Sequence, residues 1–132
     1  TQKVALSKKL ANYFLNRLPE DAVCHWDLAL VGTDALRDSS SAAIAVCGLL
    51  ELIKHLPVTD PDRERYQQWA MAIMSSLTRH YLMAKEEKGN GLLKHSVYHL
   101  SSNKGVDECA SWGDYFYVEA LVRFTQCWKL YW

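Results

Sequence analysis

The run Ala42-Ala43-Ile44-Ala45-Val46-Cys47-Gly48-Leu49-Leu50 constrains this chain more than any other segment. It is apolar at every position, so a helix built from it presents apolar surface whichever way it is turned. Such a helix is buried on several sides, and its small residues predict close approach by the helices around it. The spacing predicts this helix from about Ser39 to Leu56, with Asp38, Ser39 or Ser40 as its cap.

Three further helices are predicted around it. The first covers roughly residues 2 to 18, with Val4, Leu6, Leu10, Phe14, Leu15 and Leu18 on one stripe, and ends at Pro19 and Glu20-Asp21. The third follows Pro57 with a cap in Thr59-Asp60-Pro61-Asp62. It runs through Tyr66, Trp69, Ala70, Ile73, Met74, Leu77 and Tyr81 to about Ala84. The fourth begins near Gly113-Asp114, with Asp114 as its expected cap, and carries Phe116, Val118, Ala120, Leu121, Phe124 and Cys127 ahead of the aromatic tail Trp128 to Trp132. Residues 20 to 38 and 85 to 112 form two long excursions. Leu92 to His99 suits short extended pieces, and Ser101-Ser102-Asn103-Lys104-Gly105 is turn chemistry. The expected class is all-α, with four helices. If successive helices are antiparallel, both long loops lie at one end of the bundle, which is the candidate functional face.

Composition narrows the partners. A chain of 132 residues suggests one domain. Lys+Arg and Asp+Glu are 15 each, which argues against a nucleic-acid or polybasic membrane binder. No apolar run is long enough to span a bilayer. Cys24, Cys47, Cys109 and Cys127 show no zinc-finger spacing, and a reducing, cytoplasmic setting is the default expectation. The chain starts at Thr1 rather than Met, with a helix already under way, so it is expected to begin inside a larger protein.

No nucleophile elbow, P-loop, dinucleotide fingerprint or HExxH is present. Asp27 and Asp38 suit a glycosidase carboxylate pair, but Asp38 at a helix start is first of all a cap, with Arg37 pairing locally. Ser102-Asn103-Lys104-Gly105 places a hydroxyl, backbone N–H groups and an ammonium within one turn. Such a turn can hold a sulfate, phosphate or carboxylate, but on the residues alone a solvated loop tip is the favoured reading. His95 and His99 lie four apart without evident further metal ligands. The other histidines read as surface or loop residues. Trp26, Trp112, Trp128 and Trp132 fall near element ends, where they suit core packing, interface anchors or stacking on the C–H faces of sugar rings.

Taken together, these segments resemble the unsaturated glucuronyl hydrolases, a glycoside hydrolase family with an (α/α)6 barrel. The matching stretches are Leu18-Pro19-Glu20-Asp21 through Trp26-Asp27, Arg37-Asp38-Ser39-Ser40-Ser41-Ala42-Ala43-Ile44-Ala45 with Gly48-Leu49-Leu50-Glu51, Tyr98-His99, and Trp112-Gly113-Asp114-Tyr115-Phe116-Tyr117-Val118-Glu119-Ala120-Leu121. Their order and spacing cover nearly the whole chain. The resemblance implies a cytoplasmic enzyme without metal or organic cofactor that acts after polysaccharide lyases. It would remove a 4,5-unsaturated uronic acid from glycosaminoglycan oligosaccharides. In that family an aspartate protonates C4 of the vinyl ether and helps water add at C5, and the hemiketal then collapses.

The family's two important aspartates, and its Trp-x-Arg-Gly-Gln-x-Trp segment, lie in the N-terminal half of the barrel and have no counterpart here. The chain is therefore expected to be a four-helix C-terminal part of the barrel, inactive alone, with no catalytic residue of its own. Asp27, Asp38 and Asp114 are expected to shape the barrel mouth and cap helices. Substrate contact is what carries over. Tyr98 matches a tyrosine lining the pocket, and Ser102 and Lys104 match the end of a Ser-x-x-Ser-x-Lys motif that recognises the sulfate of the neighbouring amino sugar. His99 stands where the first Ser of that motif would be; it can donate a hydrogen bond, more strongly when protonated. Expected partners are an unsaturated, sulfated or unsulfated disaccharide, and the remainder of the barrel or a second copy covering exposed apolar faces. Two other readings are a non-catalytic helical binding module and part of an unsaturated rhamnogalacturonyl hydrolase.

Overall fold

The computed structural model describes residues 1–32 and 34–130. Thr33, in the Gly32-Thr33-Asp34 stretch, and Tyr131 and Trp132 of the aromatic tail lie outside the described residues. The elements are α1 (Gln2–Leu15), α2 (Ser39–Lys54), α3 (Asp62–Ser76) continued by a π-helical turn (Leu77–Tyr81), β1 (Ser96–His99), a 3₁₀ turn (Leu100–Ser102), β2 (Lys104–Glu108) and α4 (Ser111–Thr125).

Helix α2 is the hub, packed against α3, α4, β1 and α1. Its Ala42, Ala43, Val46, Cys47, Leu49 and Leu52 are buried with Tyr66, Ala70, Ile73 and Leu77 of the α3 segment and with Tyr117 and Ala120 of α4. Burial of α2 is not complete all round. Ile44 is 41% exposed, and a Cβ added at Gly48 would meet nothing within 4 Å. The close approach expected of small residues falls instead at Gly113, where a Cβ would stand 3.0 Å from that of Ser40. That contact joins the first turns of α2 and α4.

Helix α1 ends at Leu15, short of the expected Leu18, because the backbone N–H groups of Arg17 and Leu18 turn back to Phe14 and Leu15 at i to i−3 spacing. Its stripe is only partly used. Leu15 is buried, while Leu6 and Leu10 are 57% and 63% exposed. Between α1 and α2 runs an apolar groove of about 650 Å³, lined in part by Val4, Leu10, Phe14, Ala45, Leu49 and Leu52. The α3 segment stops at Tyr81, three residues before the expected end. Beyond it, the Met83 and Lys94 N–H groups bond to Leu92 and Tyr81 across an extended pairing.

The second excursion folds into an antiparallel hairpin, β1 with β2, in which Val97 faces Val106 and His99 faces Lys104. The extended reading of residues 92 to 99 holds, but β2 was hidden behind turn-forming residues. Gly105 has φ +55°, and a Cβ there would stand 3.1 Å from that of Tyr98, so two constraints select glycine. Asp107, at φ 59°, is the extra residue of a bulge beside Ser96 and Val97.

The expected gathering of both long loops at one end is met. Asp38 N–H bonds to Cys24 O at 2.9 Å, Ser39 N–H to His95 O at 3.1 Å, and Trp112 to Ser40. The first turns of α2 and α4 and the last turn of the α3 segment therefore meet there.

Candidate functional site

The buried centre of this loop end is Asp38, 6% exposed. As the N-cap of α2, its Oδ1 accepts the Ser40 N–H at 3.1 Å, while Ser41 donates its hydroxyl to Oδ2. The same Oδ1 also accepts the Ser40 hydroxyl at 2.6 Å and the Val97 N–H of β1 at 3.3 Å. One carboxylate thus satisfies a helix terminus and fastens the hairpin to it. The Ser40 hydroxyl in turn accepts the Trp112 indole N–H at 3.1 Å. The Trp112 ring lies 5.6 Å from that of Tyr98, tilted by 58°. Buried charge, hydroxyl, indole and phenol follow one another outward to a surface where Trp112 is 40% and Tyr98 67% exposed.

The other acids flagged by the sequence are also committed to backbone. Asp27 closes a turn by accepting the Ala29 N–H at 2.8 Å. Asp114 does not cap α4. The cap position is Ala110, which supplies no side-chain bond, and Asp114 Oδ1 accepts the N–H groups of Leu92 and Leu93 at 3.0 and 2.9 Å. The helix starts two residues earlier than expected, and this moves Asp114 from the cap into the first turn, facing the hairpin approach.

Arg37 pairs with Asp21 rather than with its neighbour Asp38, at 3.2 Å, and donates to His25 Nδ1 at 3.0 Å. Burial alone would raise the Asp21 pKa. The Tyr81 hydroxyl at 2.6 Å, the Val23 N–H and Arg37 outweigh it and hold the carboxyl below its usual range. His25 was read as a loop or surface residue; it lies in the loop but is buried at 3% exposure.

The residues singled out for substrate contact, Tyr98, His99, Ser102 and Lys104, lie together on the hairpin, and all four are exposed. Asn103 adopts the left-handed conformation, φ 51° and ψ 45°, which turns the chain from the 3₁₀ turn into β2. His99 faces Lys104 across the ladder. Its Nδ1 accepts the Ser102 N–H at 3.3 Å and lies 2.6 Å from the Ser102 hydroxyl. This tip can offer an anion an ammonium and an imidazole N–H, beside an aromatic wall suited to a sugar ring.

Burial pushes the thiols of Cys24 and Cys47 up to about 12, so neither is a nucleophile near neutral pH. Among the described residues, no group of three or more His, Cys, Asp or Glu is placed to hold a metal ion. Two features escaped the sequence reading. One is the anchoring of Trp112 by Ser40, which joins residues 72 apart and has no sequence signal. The other is a buried ion cluster, Arg123 with Glu119 at 2.7 Å and Glu51 at 2.8 Å; the four-residue spacing of Glu119 and Arg123 was a readable sign of half of it.

No family model matches the chain. Individual relatives do. The chain is 51% identical over 128 residues to an unsaturated chondroitin disaccharide hydrolase of Streptococcus pneumoniae, covering 96% of the chain and 32% of that protein. It is 35% identical over 127 residues to an unsaturated glucuronyl hydrolase of a Bacillus species, covering 96% of the chain and 34% of the relative. In structure it superposes with a TM-score of 0.94 on a mutant unsaturated glucuronyl hydrolase of Streptococcus agalactiae complexed with dGlcA-GalNAc6S. That match is at 48% identity and covers 99% of this chain and 35% of the other. The chain thus spans about a third of the length of the curated relatives it matches. By sequence and by fold, it is homologous over nearly its whole length to one third of an unsaturated glucuronyl hydrolase, a family of (α/α)-barrel enzymes.

Proposed function

We propose that this chain forms the C-terminal third of an (α/α)6-barrel unsaturated glucuronyl hydrolase and supplies substrate-binding groups at the barrel mouth. The whole enzyme removes the 4,5-unsaturated uronic acid from glycosaminoglycan disaccharides released by lyases, by hydration of the vinyl ether. The catalytic aspartates come from outside these residues, so the chain alone does not turn over substrate. The observation that carries this reading is the β1–β2 hairpin, which brings exposed Tyr98 against Trp112 and pairs the next residue, His99, with Lys104. It sets an aromatic wall beside a cationic tip, which matches a sugar bearing an anionic substituent. Support also comes from the Streptococcus agalactiae relative that binds the sulfated disaccharide dGlcA-GalNAc6S. The groove between α1 and α2, with the exposed Leu6 and Leu10, is covered by the rest of the barrel. The four free cysteines favour a reducing compartment such as the cytoplasm, and no helix of the described residues is long and apolar enough to cross a membrane.

The test is a chimera in which this chain replaces the matching third of the Streptococcus agalactiae hydrolase. Turnover is followed as loss of the absorbance of the conjugated double bond in an unsaturated chondroitin disaccharide. The chimera is expected to be active and the 132-residue chain inactive. A folded but inactive chimera would overturn the proposed role, and clear turnover by the chain alone would show that a catalyst lies within it.

A further inference from the structure

We infer that Ser40 is a positioning residue for substrate binding. Its hydroxyl, oriented by Asp38, sets the Trp112 indole against Tyr98 so that two rings make one platform for a sugar. The inference rests on the reading of this hairpin face as substrate-binding, and it names the buried group that gives the face its shape.

The polarity of the contacts leaves Ser40 one arrangement. Asp38 Oδ1 accepts the backbone N–H groups of Ser40 at 3.1 Å and of Val97 at 3.3 Å. A backbone N–H can only donate, so this oxygen carries no proton. The Ser40 hydroxyl, 2.6 Å away, therefore gives it its single hydrogen. Only lone pairs then remain on Ser40 Oγ. The indole N–H of Trp112 is a donor only, and it lies 3.1 Å from that oxygen. Ser40 is 2% exposed, so a sugar on the surface does not reach its hydroxyl, and the residue acts through the indole.

The same carboxylate oxygen governs both rings. Through the Val97 N–H it holds the residue next to Tyr98 on β1, and through Ser40 it holds Trp112 at the first turn of α4. Gly113 permits this approach. A Cβ there would stand 3.0 Å from that of Ser40 and 3.4 Å from Ser96 Oγ, so a larger residue would push the first turn of α4 away from α2. The indole has a single hydrogen-bond donor, so its bond to Ser40 selects one rotation of the ring. Without that bond the tilt against Tyr98 is no longer set. The strand that carries Tyr98 is tied separately. Ser39 donates its hydroxyl to Lys94 O at 2.6 Å and its N–H to His95 O at 3.1 Å. Loss of the Ser40 hydroxyl thus frees the indole and leaves Tyr98 in place. A preset angle between the rings spares part of the ordering cost of binding. Its loss weakens the ground and transition states alike, and that loss is read in KM.

The experiment uses the chimera, with kinetics on an unsulfated and a 6-sulfated unsaturated chondroitin disaccharide. Ser40→Ala is expected to raise KM about fivefold, the worth of one hydrogen bond, with kcat within about twofold of the parent. The rise should be equal for the two substrates, because the platform meets C–H faces that both share. Trp112→Phe keeps a ring and removes the N–H. It should raise KM as well, and adding Ser40→Ala to it should have no further effect. A purely structural role for Ser40, through the cap of α2, makes the two effects add instead. Additive effects, an unchanged KM in Ser40→Ala, a loss carried by kcat or a rise confined to the sulfated substrate each overturn the inference. Where Ser40→Ala does not fold, Trp112→Phe decides: a raised KM supports the inference and an unchanged one overturns it. A second readout is independent of turnover. The indole N–H resonance of Trp112, identified by its loss in Trp112→Phe, should exchange with solvent about tenfold faster in Ser40→Ala than in the parent. Equal exchange shows that the bond does not hold the ring and overturns the inference. Trp112→Ala tests the underlying reading. An unchanged KM there means that this face does not bind the sugar. A raised KM there, beside an unchanged one in Ser40→Ala, sinks the role of Ser40 alone.

Discussion

Asp38 and the tip of the hairpin lie on the same loop end, yet their polar groups are used in opposite ways. Asp38 is a buried charge with donors from Ser40, Ser41 and Val97 on its oxygens. Lys104 is exposed, and so is His99, its partner across the ladder. A charge saturated by its own chain holds structure. One left facing solvent next to an aromatic wall is available to a ligand. The difference teaches why Asp38, expected from the sequence to be a helix cap rather than a catalyst, is consumed by its own chain, while the exposed turn keeps its polar groups for a ligand.

Substitutions should reproduce that order. Asp38→Ala removes the cap of α2 and the anchor of β1 and leaves buried donors without acceptors. It should cost about 3 kcal/mol or more in urea unfolding, the largest effect among the acids flagged by the sequence. Asp114→Ala frees the N–H groups of exposed Leu92 and buried Leu93 and should cost about 1–2 kcal/mol by the same measurement. Asp27→Ala releases only an exposed turn and should stay within about 0.5 kcal/mol. Lys104→Ala should leave stability unchanged within about 0.5 kcal/mol while lowering the preference for the sulfated disaccharide. If Lys104→Ala were as destabilising as Asp38→Ala, the tip would be structural and the comparison would break.

The buried ion cluster extends the comparison to pH. Burial opposes ionisation of Glu51, but Lys54 and Arg123 overcome it and hold its carboxyl at about 2. A depressed carboxylate stabilises the fold above its unfolded pKa, and that contribution is lost as the pH falls through the folded one. Stability should therefore decline from about pH 4.5 toward about pH 2, and Glu51→Gln should remove that part of the decline. An unchanged acid limb in the variant would show that other carboxylates carry it. Asp21 should contribute with the same sign, since its pKa is also lowered.

Much of the framework was legible in the sequence. Apolar periodicity placed four helices, the run from Ala42 to Leu50 placed α2 at the centre, and Asp38 was readable as its cap because an acid at a helix start has a local job. Other features were not readable. The strand β2 carries Lys104, Gly105, Asp107 and Glu108, residues that local propensity assigns to turns; it forms because β1 offers it a ladder and the Asp107 bulge absorbs the mismatch. The cap of α4 was misplaced because Asp114 finds its donors 21 and 22 residues away, not in its own helix.

The sequence by itself determined the helical class and the central helix and pointed to two long loops meeting at one end. These follow from spacing and from residue chemistry that acts over a few positions. The group Tyr98, His99, Ser102 and Lys104 was singled out by the family resemblance instead. Only the tertiary structure decided which charges are already satisfied and that Trp112 is held against Tyr98 through Ser40 and Asp38. Hydrogen bonds are short and directional, so whether a polar group is consumed or available depends on atoms brought together from distant parts of the chain. Those meetings are not encoded in local spacing.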